Sequence, residues 1–221
     1  SNRPAAYMSD SNIRILIADD HAVIRTGLKY LLTRQFGRVE TAEADACATL
    51  LEALEQGVFT HLILDLQLGD RNSLEVIPDI LERYPDLWVL VYTMSPEAGY
   101  GKRLVQMGVS GFLSKQEDEQ TVLKALNLFL LRRPYLSPDL KLSLQSGREG
   151  AGPTANPFDQ LSDREMTVLH YLLQGLRVKE ISNKLDLSMS TVATYKVRIF
   201  EKLGVDNQAD MQRLADTYHI S

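Results

Sequence analysis

The chain has 221 residues, 44% of them hydrophobic and 24% charged, with a net charge of −5, the make-up of an ordinary soluble globular protein long enough for one large domain or two small ones. Its apolar stretches fall well short of the ~20 residues a membrane helix needs, and a single cysteine, Cys47, excludes both an intramolecular disulfide and a cysteine metal site. Residues 158–221 hold eight Lys/Arg against nine Asp/Glu, a net of −1 that leaves −4 upstream, so a DNA contact has to come from local charge on one element and not from a basic domain.

The first twelve residues, SNRPAAYMSDSN, are polar and lack the pattern of a secretory leader. Met8 is a candidate start, which leaves the origin of residues 1–7 open. Cys47 falls in an expected helix and reads as a small buried filler. Together these features favour a reducing, cytoplasmic setting with no membrane association.

Strand-like runs follow at about 13–18, 38–42, 61–64, 88–92 and 111–114, with helical patterns between and after them near 22–35, 46–55, 74–84, 97–107 and 117–132. Such alternation predicts a parallel sheet covered on both faces. The helix near 97–107 is the weakest of these, because Gly99 and Gly101 each disfavour a helix interior by roughly 1 kcal/mol, although Pro96 suits its first turn. Residues 144–157, LQSGREGAGPTANP, read as a linker.

Beyond it the pattern is all helical. Ser162 and Glu165 read as a capping box, and the helix they start carries Val168, Leu169, Leu172 and Leu173 on one face and ends at Gly175. A short helix over about 178–185 comes next. After a turn at Asp186–Met189, Ser190 is expected to cap a third helix that runs to Leu203, ends at Gly204 and is followed by a last one over about 207–217. Two short helices joined by a four-residue turn form a helix-turn-helix pattern.

The chemistry gathers at the ends of the strand runs. The first ends in Asp19 and Asp20, the third in Asp65, the fourth in Thr93, and the fifth runs into Lys115. In a parallel sheet these C-terminal ends share one edge, where open α/β sheets place their sites. Three carboxylates together call for a cation, and oxygen ligands of this kind suit Mg²⁺; the ammonium and hydroxyl suit a phosphoryl group. Capping by Asp20 is the main competing role. His21 either orients the acid pair or simply starts a helix. His61, His170 and His219 have no spacing that suggests a metal site.

On the motifs LIADDH (16–21), LILDL (62–66), YT (92–93) and GFLSK (111–115), residues 13–132 resemble the receiver domain of a two-component response regulator. The resemblance implies a flavodoxin-like α/β fold with a five-stranded parallel sheet and a phosphoryl group taken by Asp65 from a sensor histidine kinase. It implies Mg²⁺ held by Asp20, Asp65 and the Gln67 backbone carbonyl, with Asp19 assisting. Thr93 and Lys115 would bind the phosphoryl oxygens, and Phe112 would be the aromatic switch that turns inward as Thr93 moves. Two departures stand out. Gly69 occupies a position where many receivers carry proline, so the loop LQLGDRNSLEV (66–76) is expected to be more mobile, and Gln116 stands where many have another proline.

On LSDREMTVLHYLLQG (161–175), KEISNKL (179–185), STV (190–192) and IFEKLGV (199–205), the C-terminal part resembles the LuxR-type DNA-binding domain of the NarL/FixJ class. That implies a helix from Thr191 to Leu203 in the major groove of double-stranded DNA, with Ala193, Thr194, Val197 and Arg198 at the bases and Lys196 and Lys202 nearer the backbone. Lys179 and Ser190 would reach phosphates, and Tyr195 would replace a histidine common in relatives. The cation that most relatives carry at 193 is absent, so a weak monomer and homodimerisation on activation are expected.

The expected division is receiver 12–133, linker 134–157 and DNA-binding domain 158–221, and the expected role is a transcription factor, not an enzyme. A phosphatase of the haloacid type needs a second acid two residues after the nucleophile, where this chain has Gln67. The other reading keeps the DNA-binding domain and makes the receiver a dimerisation module independent of phosphorylation.

Overall fold

In this computed structural model the described residues are 13–37, 39–69, 71–146 and 156–220. The first half runs β1 (Arg14–Ala18), α1 (Ala22–Phe36), β2 (Glu40–Ala44), α2 (Cys47–Gln56), β3 (His61–Leu64), β4 (Gln67–Leu68), β5 (Arg71–Asn72), a 3₁₀ turn (Ser73–Glu75), α3 (Ile77–Arg83), β6 (Trp88–Thr93), α4 (Glu97–Met107), β7 (Gly111–Ser114) and α5 (Glu119–Leu130). After α6 (Pro138–Ser146) and a second 3₁₀ turn (Pro157–Gln160) come α7 (Asp163–Leu173), α8 (Val178–Leu185), α9 (Met189–Leu203) and α10 (Gln208–Thr217).

The five long strands form one parallel sheet in the order β2-β1-β3-β6-β7. Ile15, Leu16 and Ile17 are wholly buried, because a central parallel strand is covered on both faces and needs apolar side chains on each. Alternate residues serve the two sides. Ile15, Ile17, Ile63 and Leu113 pack under α1 and α5 with Leu32, Leu126 and Phe129. Leu16, Leu62, Leu64 and Phe112 pack under α2 to α4 with Leu50, Ile77 and Leu104. The strand order reverses between β1 and β3, and a doubly wound sheet opens its crevice at that point.

The segments differ from their sequence-based expectations in four places. β2 lies at 40–44 and not 38–42, because its run ETAEA is an edge strand with no apolar signature and its position is set by pairing, Arg14 with Glu40 through Ala18 with Ala44. The loop after Asp65, expected to be mobile, contains an antiparallel pair, Gln67 with Asn72 and Leu68 with Arg71; Asp70 at its tip lies outside the described residues. Residues 138–146 of the expected linker form α6, and residues 147–155 of it lie outside the described residues. Ser188, not Ser190, is the N-cap of α9: its Oγ accepts from the Thr191 amide at 3.1 Å. The Ser162–Glu165 capping box of α7 forms as expected, with both hydrogen bonds present.

α4 is an unbroken helix despite its two glycines, and the packing gives the reason. A Cβ on Gly99 would lie 3.3 Å from the Ile220 side chain, and one on Gly101 would lie 3.2 Å from both Leu140 methyls and 2.9 Å from Glu97 Cγ. The glycines make a shallow notch in which α6 and Ile220 rest. Polar contacts flank it: Ser137 Oγ donates to Glu97 at 2.5 Å, Asn156 Nδ2 to the Ala98 carbonyl at 3.1 Å, and Arg103 pairs with Asp163 at 2.9 Å. One apolar cluster therefore runs from the sheet through α4 into the C-terminal helices, whose own centre is Met166, Leu169, Ile181, Val192, Ile199 and Met211.

Candidate functional site

The backbone hydrogen bonds of the parallel sheet carry Asp19, Asp65 and Lys115 to one edge. The Asp65 amide donates to Ala18 and the Lys115 amide to Thr93, each at 2.9 Å. Asp19, Asp20, His21 and Asp65 each present a ligand atom within 4.8 Å of the others. Asp19 and Asp65 are buried. The Asp65 carboxylate is held at both oxygens: Thr93 Oγ1 donates to Oδ1 at 2.7 Å, and Lys115 Nζ meets Oδ2 at 2.7 Å. Lys115 also meets Asp19 at 2.5 Å. The expected set at the strand ends is therefore brought together.

Burial pushes the Asp65 carboxyl above the usual carboxylate range, opposed by the hydrogen bonds from Lys115 and Thr93 and reinforced by the Asp19 charge. For Lys115 burial pulls the other way, but the Asp19 and Asp65 carboxylates outweigh it and hold the ammonium above its ordinary value. Two buried acids against one buried cation make a pocket whose charge suits a further cation.

Asp20 does not cap α1; the N-cap residue is His21, and no side chain caps that end. Asp19 Oδ1 instead accepts from the His21 amide at 2.8 Å. Asp20 Oδ1 is buried and accepts no hydrogen bond, although His21 Nδ1 lies 3.0 Å from it. An orphaned carboxylate oxygen beside two other acids fits an oxygen-liganded divalent ion. Gln67 opens β4 and its amide donates to Asp65 Oδ1 at 3.2 Å. Phe112 is wholly buried, turned inward while Thr93 faces Asp65.

Two residues near this site carried no sequence signal. Arg25 Nη1 donates to the Asp19 carbonyl at 2.7 Å; it stands one helical turn past His21, an unremarkable spacing. Ser73 Oγ donates to the Asp65 carbonyl at 2.9 Å, from a segment that read only as loop.

On the C-terminal helices, Ala193, Thr194, Val197 and Arg198 form an exposed strip of α9, and Ser190 and Lys179 are exposed beside it. Thr191, Tyr195 and Lys196 are half-buried; Arg198 lies 6.0 Å over the Tyr195 ring and Lys196 5.6 Å over that of Phe200. Lys202 is not part of this strip's free charge. Its Nζ meets the two oxygens of buried Glu165 at 2.8 and 3.1 Å and the Gln160 carbonyl at 3.3 Å.

Comparison with known proteins assigns both parts of the chain to known families. Residues 15–127 match the response regulator receiver domain, and residues 159–215 match the bacterial regulatory proteins of the luxR family. The response regulator GacA of Pseudomonas viridiflava is 31% identical over 207 residues, which cover 92% of this chain and 95% of that protein. The response regulator UvrY of Escherichia coli K12 is 26% identical, covering 92% and 93%. Among solved structures, the RcsB response regulator of Salmonella typhimurium, from work on conformational dynamism for DNA interaction, aligns with a TM-score of 0.74 at 25% identity, covering 95% of this chain and 99% of that one.

Proposed function

This chain is a two-component response regulator of the NarL/FixJ class, with a receiver domain and a LuxR-type DNA-binding domain, and on that premise we propose that Asp65 is its phosphoacceptor and that the phosphoryl group comes from a sensor histidine kinase. The carrying observation is the Asp65 carboxylate, fixed between Thr93 and Lys115 at 2.7 Å each. Such a group is a positioned nucleophile beside ready neutralising charge, which is most of what phosphoryl transfer requires. An Asp65 oxygen attacks phosphorus in line, the P–N bond of a phosphohistidine breaks, and its electron pair stays with the imidazole nitrogen.

Asp20, Asp65 and the Gln67 carbonyl are the groups that would hold Mg²⁺, with Asp19 assisting; the ion would supply charge neutralisation for the phosphoryl oxygens. After transfer, roughly two negative charges sit on Asp65. Lys115 pairs with them and the Thr93 hydroxyl donates to them, with Phe112 filling the space behind β7.

We take residues 12–133 as the receiver, 134–157 as the connection and 158–221 as the output domain. The exposed strip of α9 is the groove-reading surface, with Ala193, Thr194, Val197 and Arg198 toward base edges and Lys179, Ser190, Thr191, Tyr195 and Lys196 toward the backbone. Few cations face the DNA, so a homodimer on two half-sites supplies the affinity one domain lacks. A cytoplasmic setting suits a regulator that binds DNA; separately, no helix among the described residues is long and apolar enough to cross a membrane.

Intact-mass measurement after incubation with kinase or acetyl phosphate tests this reading. The wild-type chain gains an acid-labile phosphoryl adduct, and Asp65→Asn does not. An adduct that persists in Asp65→Asn places the acceptor elsewhere. Beryllofluoride with Mg²⁺ is expected to raise both the mass in solution and the affinity for operator DNA.

A further inference from the structure

The segment after Asp65 joins the acceptor to the other domain. Ser73 is wholly buried; its hydroxyl donates to the Asp65 carbonyl at 2.9 Å and its amide to the Leu66 carbonyl at 2.6 Å. The Asn72 side chain accepts from the Leu74 amide at 2.8 Å and closes the turn. Two residues past Ser73, Glu75 Oε2 meets Arg164 Nη1 of α7 at 2.6 Å, with about 30% of each side chain exposed. The pair forms part of the wall of an interdomain cavity of about 200 Å³. Arg71 and Lys184 line it too, and Glu75 is the one acid among its described lining residues.

We propose that residues 66–76 are a coupling element through which the phosphorylation site and the DNA-binding domain bias each other. In it Ser73 is a positioning residue for Asp65, and the Glu75–Arg164 pair anchors it to α7. The proposal rests on the reading of Asp65 as phosphoacceptor. Its physical basis is the shortness of the path. Ser73 is hydrogen-bonded to the Asp65 and Leu66 carbonyls, so a shift of that backbone acts on it directly, and Glu75 sits in the same 3₁₀ turn as Ser73. This route reaches the output domain from the acceptor's own loop, separately from Thr93 and α4. Coupling between two equilibria is reciprocal, so phosphorylation that loosens or tightens the pair has a counterpart: breaking the pair changes phosphorylation.

The cavity makes the effect asymmetric. Without Glu75, the described lining keeps three cations, Arg71, Arg164 and Lys184, and no acid. Without Arg164, Glu75 still has two cations within the same cavity. Glu75→Gln therefore disturbs the docked arrangement more than Arg164→Gln.

The test uses the full chain, acetyl phosphate and Mg²⁺, with the rate of adduct formation and its decay followed by intact mass. Glu75→Gln is expected to change the ratio of the formation rate to the decay rate by about fivefold or more, the lower end of typical couplings between two equilibria. Arg164→Gln should act in the same direction more weakly, and the swap Glu75→Arg with Arg164→Glu should return toward wild type. Ser73→Ala, which cuts the path inside the receiver, should shift the same ratio with the ion pair intact. A wild-type ratio in all four variants overturns the coupling while leaving the acceptor assignment in place. No adduct on the wild-type chain overturns the acceptor assignment and the coupling with it.

Discussion

Lys202 lies on α9 but its charge belongs to the fold. Its ammonium satisfies Glu165, which is only 3% exposed and also closes the α7 capping box by accepting from the Ser162 amide at 2.8 Å. Burial alone would raise the Glu165 carboxyl, but Lys202 and the Ser162 amide hold it below the usual range. Lys202→Met leaves that carboxylate without its cation and should cost about 1–3 kcal/mol in a urea melt, with the salt dependence of DNA binding unchanged. Lys179→Ala, at an exposed residue assigned to the DNA backbone, should do the reverse, leaving the melt alone and reducing the slope of log K against log salt by about one. His61 gives a second reading at this scale. Burial, with the Arg132 charge adding, lowers its pKa to about 4, against the pull of the Phe129 and Leu130 carbonyls. The unfolded chain takes up a proton near 6.5 and the folded one only near 4, so between those values the unfolded state binds more protons. Stability is full above about pH 6.5 and falls as pH drops toward 4. From pH 7 to 5 this one group should lower it by about 2 kcal/mol, and His61→Phe should remove that part of the loss in urea midpoints taken at both pH values.

At the scale of elements, the parallel strands and the site at their ends were legible because a strand buried on both faces reads as an unbroken apolar run. Ile15–Ala18 and Leu62–Leu64 are such runs, and the register of the sheet then fixes where Asp19 and Asp65 must point. ETAEA has no such run, so the sequence puts β2 two residues early, and two-residue strands carry no period, so it gives no sign of β4–β5. In the sequence the glycines of α4 are a weakness. Their role depends on α6 and Ile220, which lie far along the chain, and no local pattern reports that. Gly101→Val would place its added carbons against Leu140, which is 3% exposed, so α6 should be displaced and its amides should exchange faster with solvent. Leu140→Ala makes room. The double variant should therefore exchange less than the sum of the two single effects implies, the non-additivity expected of residues in contact; strict additivity would mean that α6 does not rest in the notch.

For the whole molecule, the question is what docking of the two domains does to DNA binding. The docked surfaces are α4 and the 3₁₀ turn on one side, and the α7 start, the second 3₁₀ turn and Ile220 on the other. The strip Ala193, Thr194, Val197 and Arg198 is exposed with those contacts in place, Val197 at 56%. Docking therefore does not cover the strip itself, and on the proposed reading control would fall on the pairing and placement of two chains. A covalent lock separates this from simple occlusion. A Cβ on Gly99 would lie 3.7 Å from Ile220 Cβ, within the 3.5–4.5 Å that a disulfide spans, so Gly99→Cys with Ile220→Cys should close under oxidation while buried Cys47 stays apart. Locked and reduced forms should bind a half-site fragment with equal affinity and equal salt slope, measured by fluorescence anisotropy. On the full two-half-site operator the locked form should lose the gain that beryllofluoride gives the reduced one. Loss of half-site binding on oxidation would show instead that the docked receiver blocks α9.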